Sequence, residues 1–169
     1  MKRIVMTVVT IAALAVAGNA SAQVSFGLGG GPSFDVNSNV ELGTGFNGQV
    51  SAELGLPVLP FAVRVDGMIN RFELDGGVGD YQVLSGTVNG VFKLSPAVLV
   101  PYLIGGVGMY QNKVLFEDAD DVSDSTWGVN GGAGIRFGLM GFGAFAEARI
   151  HATKDGDTFI APLTVGFNF

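Results

Sequence analysis

The last eleven residues of the chain have a repeat of two. Every second position counted back from the end is apolar: Phe169, Phe167, Val165, Leu163, Ala161 and Phe159. Thr164 and Asn168 are among the residues between them. A period of two is typical of a β-strand with one apolar face, whereas a helix would scatter these residues around its circumference. The chain therefore ends in a predicted strand.

Counting this strand, eight segments can be marked, each near the roughly 9–11 residues that a tilted membrane strand requires, and the alternation is clearest in four of them. They are residues 24–33, 45–56, 61–72, 81–94, 100–111, 126–138, 142–153 and 159–169. In the second segment, for example, Phe46 and Val50 share one face and Asn47 and Gln49 share the other. The first and fifth segments are so rich in glycine that the sequence does not assign which of their faces points inward. The pattern predicts an all-β chain.

Residues 1–22 have the composition of a cleaved secretory signal peptide. Lys2 and Arg3 precede an uncharged, mostly apolar run over residues 4–17, and Ala20 and Ala22 supply the small residues that signal peptidase reads. That run is shorter than the roughly 20 residues of a spanning helix, which disfavours the alternative of an N-terminal anchor. We therefore expect residues 23–169 to form the mature domain.

Charge and composition narrow the class of this domain. Removing two basic residues with the signal leaves 9 − 2 = 7 Lys and Arg against 15 Asp and Glu, a net charge of −8. Nucleic acid is thus not an expected partner, and the absence of cysteine excludes a disulfide scaffold. The chain is 48% hydrophobic, yet residues 23–169 hold no apolar segment long enough for a membrane helix. Strands with one face towards lipid can hide that apolar surface.

The connections between the segments also suggest a barrel. Residues 56–60, 95–98 and 139–140 are short, whereas residues 34–44, 73–80, 111–125 and 153–158 are longer and polar. This rhythm predicts an eight-stranded antiparallel up-and-down transmembrane β-barrel with tight periplasmic turns and longer external loops. Aromatic residues near the strand ends are interpreted as girdles at the two membrane interfaces. They are Phe46, Phe61, Tyr81, Tyr102, Tyr110, Trp127, Phe142 and Phe159.

The alternation places a set of charges inside the predicted barrel. They are Glu53, Arg64, Asp66, Lys93, Arg136, Glu147 and Arg149. We expect these charges to pair and close the lumen, because an unpaired buried charge is costly. A polar conduit or binding pocket is the alternative. Apolar residues on the same faces, Val83, Val91 and Phe145, are expected to pack the narrow interior.

Short turns also predict which residues lie opposite one another. A two-residue turn at residues 58–59 sets Glu53 opposite Arg64. A turn at residues 139–140 sets Gly132 opposite Glu147 and Gly143 opposite Arg136. Glycine opposite a long charged side chain would make room for it in a narrow lumen.

The export signal, the eight alternating strands, the final Phe169 and the motif PYLIGGVG at residues 101–108 together resemble the outer-membrane β-barrel superfamily of OmpA/OmpX-type and opacity-like proteins. The resemblance implies a monomer in the outer membrane of a Gram-negative cell, surrounded by outer-membrane lipid and lipopolysaccharide. It also implies periplasmic chaperones and a barrel-assembly machinery that recognises Phe167 and Phe169.

The sequence gives less support for a catalytic site or a metal site than for the barrel fold. Some related barrels act on lipid A, and one such family uses a His and a Ser two residues later. Here Thr153 stands in the nucleophile position after His151, and the final strand has no acidic residue. We therefore expect no catalytic residue and no cofactor, with His151 a polar residue near the outer rim. The acidic stretch 117–124 lacks the EF-hand spacing and predicts a solvated loop instead of a metal site.

The leading functional hypothesis is a non-enzymatic integral outer-membrane protein that contributes to envelope integrity and presents surface loops. The alternatives are a narrow pore or small-ligand transporter and a lipid A-modifying enzyme. A soluble lipocalin-type barrel is a further alternative, but it should have an apolar lumen and a polar exterior.

Overall fold

The computed structural model describes residues 23–36, 44–55, 59–73, 79–95, 98–116, 122–139, 142–154, 156 and 159–169. They form eight strands: β1 (Gln23–Asp35), β2 (Gly45–Gly55), β3 (Phe61–Glu73), β4 (Gly79–Lys93), β5 (Leu99–Phe116), β6 (Val122–Leu139), β7 (Phe142–Thr153) and β8 (Phe159–Asn168). Each strand pairs antiparallel with the next, and β8 pairs with β1 to close the barrel. The predicted fold is confirmed. No helix in the described part is long and apolar enough to cross a membrane. The predicted signal peptide, residues 1–22, lies outside the described residues.

The two faces of the strands differ as the alternation requires. Along β7, every second residue from Gly143 to Thr153 is buried, and those between are exposed or half-buried. Large apolar side chains on the outer face are exposed, such as Phe46 at 65% and Val165 at 58%. Charged and polar side chains on the inner face are buried instead. The exterior is apolar and the interior polar, which is the inverse of a soluble barrel.

The two ends of the barrel are named here by what lies there. The terminal end holds residues 23 and 169 and the connections after β2, β4 and β6, and the loop end holds those after β1, β3, β5 and β7. The long loop predicted at residues 111–125 is wrong in extent. β5 continues to Phe116 and β6 begins at Val122, with Val114 paired to Val122. Ladder hydrogen bonds thus extend this hairpin into a polar stretch that composition alone had assigned to a loop.

The register predictions had mixed outcomes. Glu53 lies opposite Arg64, as predicted. On the β6–β7 pair the prediction was wrong by two residues, because strand pairing continues to Leu139 and Phe142 and moves the connection to residues 140–141. A slip of two preserves the face of every side chain. Glycine still lies opposite a charged residue, but the observed pairs are Gly134 with Glu147, while Gly132 lies opposite Arg149 and Arg136 lies opposite Phe145.

Buried apolar side chains fill part of the interior, and glycines leave the space that one of them occupies. Val83 and Val91 are fully buried and Phe145 is 7% exposed, so their predicted place inside is confirmed. The ring of Phe145 lies over glycines of the neighbouring wall: a Cβ on Gly29 would stand 3.0 Å from its Cζ, and one on Gly166 would stand 2.8 Å from its Cε1. The missing Cβ atoms therefore make the space that this ring occupies.

The charged interior as candidate functional site

Four charged side chains meet inside the barrel: Arg64 and Asp66 on β3, and Glu147 and Arg149 on β7. Arg64 Nε lies 3.0 Å from Asp66 Oδ1, and its Nη2 lies 2.8 Å from Glu147 Oε1. Arg149 contacts the same two carboxylates, with Nη2 3.1 Å from Asp66 Oδ2 and Nε against Glu147 Oε1. Each side chain is at most 2% exposed. Two cations alternate with two anions in a neutral closed ring, called here the central quartet.

Neutral polar side chains complete the hydrogen bonding of this quartet. Asp66 accepts hydrogen bonds from Asn89 Nδ2 at 2.6 Å and from Gln49 Nε2 at 3.1 Å. The Tyr102 hydroxyl donates to Glu147 Oε2 at 2.7 Å. Asn130 Nδ2 donates to Asn89 Oδ1 at 2.8 Å and extends the network to β6. The carboxylates thus receive the additional donors that make a buried ion pair tolerable.

A second group, the terminal triad, lies towards the terminal end. Arg136 makes a two-pronged contact with Glu53, with nitrogen–oxygen distances of 3.0 and 2.7 Å. Lys93 Nζ lies 3.3 Å from Glu53 Oε1, and the Lys93 side chain is 34% exposed. The Arg136 guanidinium also lies 5.5 Å from the centre of the Tyr102 ring, within cation–π range. The triad carries a net charge of +1 and links the quartet to the opening of the barrel.

The principal ion pairs connect opposite walls instead of neighbouring strands. Arg64 bonds Glu147 across the lumen from β3 to β7, and Glu53 bonds Arg136 from β2 to β6. In both cases the strands are four apart in a ring of eight. Although Glu53 and Arg64 are register neighbours, the carboxylate of Glu53 bonds Arg136 and Lys93. All seven charged residues expected inside lie there, and they form these two groups.

The tyrosines and the histidine required corrections. Tyr81, Tyr102 and Tyr110 were expected in interfacial girdles, but Tyr102 and Tyr110 are 1–2% exposed and face inward, and Tyr81 packs against the same buried cluster as Tyr110. His151 was expected near the outer rim, yet it is 1% exposed. Its Nδ1 lies 2.9 Å from the Tyr110 hydroxyl. Inside the barrel the Tyr102 hydroxyl bonds the Glu147 carboxylate, and Tyr110 and His151 bond each other, whereas the apolar outer belt would offer no such partners.

Comparison with known proteins finds similarity to solved structures alone. No protein-family model matches the chain, and no curated protein sequence matches it. Neisserial surface protein A superposes with a TM-score of 0.66 at 14% identity, covering 88% of this chain and 97% of that one. The chain has the fold of the eight-stranded outer-membrane β-barrels. The resemblance stated from the sequence is confirmed at the level of fold.

Two further barrels support the same conclusion. Ail, the attachment invasion locus protein of Yersinia pestis, superposes with a TM-score of 0.59 at 17% identity, covering 88% of this chain and 97% of Ail. That Ail structure is a complex with the heparin analogue sucrose octasulfate. The N-terminal β-barrel domain of Pseudomonas aeruginosa OprF superposes with a TM-score of 0.56 at 18% identity, covering 88% of this chain and all of that domain.

The remaining candidate sites have a simple outcome. Within the described residues, no group of three or more His, Cys, Asp or Glu side chains could hold a metal ion. Most of the acidic loop, residues 117–121, lies outside them. His151 and Thr153 both face the interior, and His151 is paired with Ile160 on β8. The described partner of the His151 ring is a tyrosine hydroxyl and not a carboxylate.

Proposed function

We propose that this protein is an integral outer-membrane β-barrel whose lumen is closed by its own charged side chains, and that it has no enzymatic activity. The observation that carries the proposal is the inverted polarity of the barrel. Exposed apolar residues cover the outer face, whereas arginines and carboxylates are buried inside. Contact of such an apolar exterior with water is unfavourable, whereas contact with lipid is not.

The height of the apolar face matches a bilayer. The outward residues of β5 are apolar or glycine from Leu99 to Met109. Ten residue steps at about 3.3 Å, in a strand tilted by about 40°, span roughly 25 Å, which is the height of the apolar band in outer-membrane barrels. Exposed Phe92, Phe137 and Phe142 extend this band to the terminal end, as expected at a membrane interface.

A closed lumen is the function that the interior geometry supports best. The central quartet is neutral, almost fully buried and bonded from wall to wall. An ion entering the lumen would have to separate these pairs, which is costly in a site with little water. The protein then acts through its walls and its loops, contributing to envelope integrity and presenting the loop end at the surface. A narrow pore would require the quartet to open.

A lipid-modifying activity receives no support from the same geometry. A membrane lipid contacts the outer face of a barrel, but His151 and Thr153 point into the interior. The inward residues of β8 include Ile160, Pro162 and Thr164 and no carboxylate. A nucleophile and its base must both reach the substrate.

The test of this proposal is membrane fractionation with a heat-modifiability gel. A folded outer-membrane barrel is recovered with the outer membrane, resists SDS and changes its mobility on boiling. Recovery in the soluble periplasmic fraction would refute the proposal. Planar-bilayer recording then tests the closed lumen, for which we expect little conductance from the wild type. A steady open channel in the wild type would favour the pore instead.

A further inference from the structure

The backbone ladder of β8 is interrupted on both sides of the strand. Among the described residues of β1 and β8, no pair forms at Pro32 or at the residue before it. Between β7 and β8, both of which are described throughout, no pair forms at Pro162 or at the residue before it. The six other strand pairs have a continuous register. Proline has no N–H to donate to a neighbouring strand, and a closed sheet has no edge where that loss would be harmless.

Pro32 occupies a position where β1 would otherwise donate a ladder hydrogen bond to β8. Phe26 and Phe169 exchange two backbone hydrogen bonds, at 2.8 and 2.9 Å, and antiparallel strands repeat this exchange at every second pair. Further along the same two strands the exchange falls on Pro32 and Leu163. Because Pro32 has no N–H, the carbonyl oxygen of Leu163 has no ladder donor on β1.

The side chain of Asn47 on β2 supplies this donor from inside the barrel. Its Nδ2 donates to the Leu163 carbonyl at 3.1 Å, and to those of Gly31 and Pro32 at 2.9 and 3.0 Å. Thr164 Oγ1 donates to Asn47 Oδ1 at 2.9 Å and holds the amide in this orientation. The Asn47 side chain is fully buried. One side chain thus joins β1 to β8 where their own ladder is broken.

Pro162 weakens the other side of the same stretch. Counted from the neighbouring pairs, it lies opposite Arg149 on β7, to which it cannot donate. Residues 159–163, called here the seam segment, therefore have an interrupted ladder towards both neighbours. Within the segment, Ile160 is 1% exposed and belongs to the buried apolar cluster at the loop end. Ile160 is paired with His151, so the segment forms the wall beside the upper part of the lumen.

We propose that the seam segment opens sideways as a unit while the rest of the barrel stays folded, and that Asn47 is the latch that holds it closed. Proteins open locally where few bonds must be broken, and the two prolines have already removed ladder donors on both sides of this segment. The central quartet lies on β3 and β7, so opening of β8 leaves it intact. His151 lies beyond Arg149 towards the loop end of β7. The opening therefore uncovers the lumen on the loop side of the quartet only.

The first test is amide hydrogen exchange, followed by mass spectrometry, of the full barrel in lipid nanodiscs. In the wild type the seam segment should exchange faster than β4. Asn47→Ala leaves the buried Leu163 carbonyl without a donor, so exchange of the segment should rise roughly tenfold while exchange of β4 is unchanged. Asn70→Ala is the matched control. Asn70 is the register partner of Asn47 and is equally buried, but it accepts its hydrogen bond from a side-chain hydroxyl.

Pro32→Ala makes this test sharper, because it restores the missing backbone donor. In the Asn47→Ala background, Pro32→Ala should reverse most of the increase in exchange, whereas Pro101→Ala, at a proline of β5, should not. If Pro32→Ala fails to reverse the increase, Asn47 does not replace the missing donor and the proposal is overturned. Equal increases for Asn47→Ala and Asn70→Ala, or an equal increase in β4, would overturn it as well, because the barrel would then loosen as a whole.

A second test asks where the opening leads, and it rests on the membrane location proposed above. The chain has no cysteine, so Val83→Cys places a single thiol in the apolar cluster beside the seam segment. In the Asn47→Ala background this thiol should react faster with an uncharged maleimide dissolved in the bilayer, but not with a charged, membrane-impermeant one. Equal acceleration with both reagents would place the opening at the loop end and overturn the sideways opening. A heat-modifiability gel on every variant separates these results from a failure of the barrel proposal, because a variant that retains the mobility shift is folded.

Discussion

Glu147→Gln is the substitution that probes the closed interior most directly. The carboxylate of Glu147 accepts hydrogen bonds from Arg64, Arg149 and Tyr102. The amide has nearly the same shape but no charge, and it turns one acceptor into a donor. The central quartet then changes from neutral to a net charge of +1, with two arginines sharing Asp66.

The size of the expected stability loss follows from the burial of the central quartet. Removing one partner of a buried ion pair costs about 3–5 kcal/mol, whereas an exposed pair is worth only about 0–1 kcal/mol. Because the quartet is at most 2% exposed, we expect Glu147→Gln to lower the free energy of unfolding by about 3–5 kcal/mol. Adding Arg149→Gln restores neutrality and leaves Arg64 paired with Asp66. The double variant should therefore be more stable than the single one by at least about 1 kcal/mol.

The assay is urea unfolding of the barrel in phospholipid vesicles, followed by tryptophan fluorescence and by mobility on unboiled gels. Trp127 is the single tryptophan of the chain, and it lies on the outer face at 51% exposure, so it reports contact with lipid. Asp124→Asn, at an exposed position, is the control and should change stability by no more than about 0.5 kcal/mol. The Arg149→Gln single variant completes the cycle. A loss below about 1 kcal/mol for Glu147→Gln, or a double variant whose loss equals the sum of the two single losses, would show that water screens the quartet and would refute the closed lumen.

Three further predictions concern packing, conductance and assembly. In Gly29→Ala the new Cβ would stand 2.8 Å from a backbone oxygen of β8, so we expect the free energy of unfolding to fall by about 1–3 kcal/mol in the same urea assay. The control is Gly86→Ala, which has no atom within 4 Å of the new Cβ and should not change stability. Equal effects of the two substitutions would contradict the packing argument. Glu53→Gln leaves the other two members of the terminal triad as unpaired cations but keeps the central quartet intact, so planar-bilayer conductance should stay as low as in the wild type. A rise in conductance with a preference for anions would contradict the assignment of the closure to the quartet. Phe169→Ala should slow the appearance of the heat-modifiable band in proteoliposomes that contain the assembly machinery. Phe137 is another exposed aromatic residue at the terminal end, and Phe137→Ala should not slow it. Equal rates for the two variants would show that Phe169 is not part of the assembly signal.

The sequence predicts the barrel well because the two environments of its strands impose opposite demands at successive residues. A lipid-facing position tolerates Phe46 or Val165, and the neighbouring inward position tolerates Asn47 or Thr164. This parity survives uncertainty in strand ends and in register, since a slip of two residues leaves each side chain on its own face. The β6–β7 pair is such a case, with the partners of Gly132 wrong and its face right.

The partners inside the lumen could not be predicted in the same way. Register relates a residue to its strand neighbours, but Arg136 reaches Glu53 on the opposite wall, and that contact depends on the stagger of the whole closed sheet. The inward tyrosines were missed for a different reason, since an aromatic ring suits a girdle and an interior alike. A signal was available in β5, where Tyr102 and Tyr110 alternate out of phase with Leu103 and Val107.

The wall-to-wall pairing has a consequence for how the barrel forms. Arg64 and Glu147 are 83 residues apart and lie on strands that are not paired with each other in the sheet. A hairpin, or an open sheet of β3 to β7, leaves their charges in water, where pairing contributes little. Only when β8 joins β1 do the two walls face each other at a fixed distance. Because a buried charge is tolerable only with its partner in place, closing the sheet, excluding water from the lumen and pairing these charges must occur as one cooperative step.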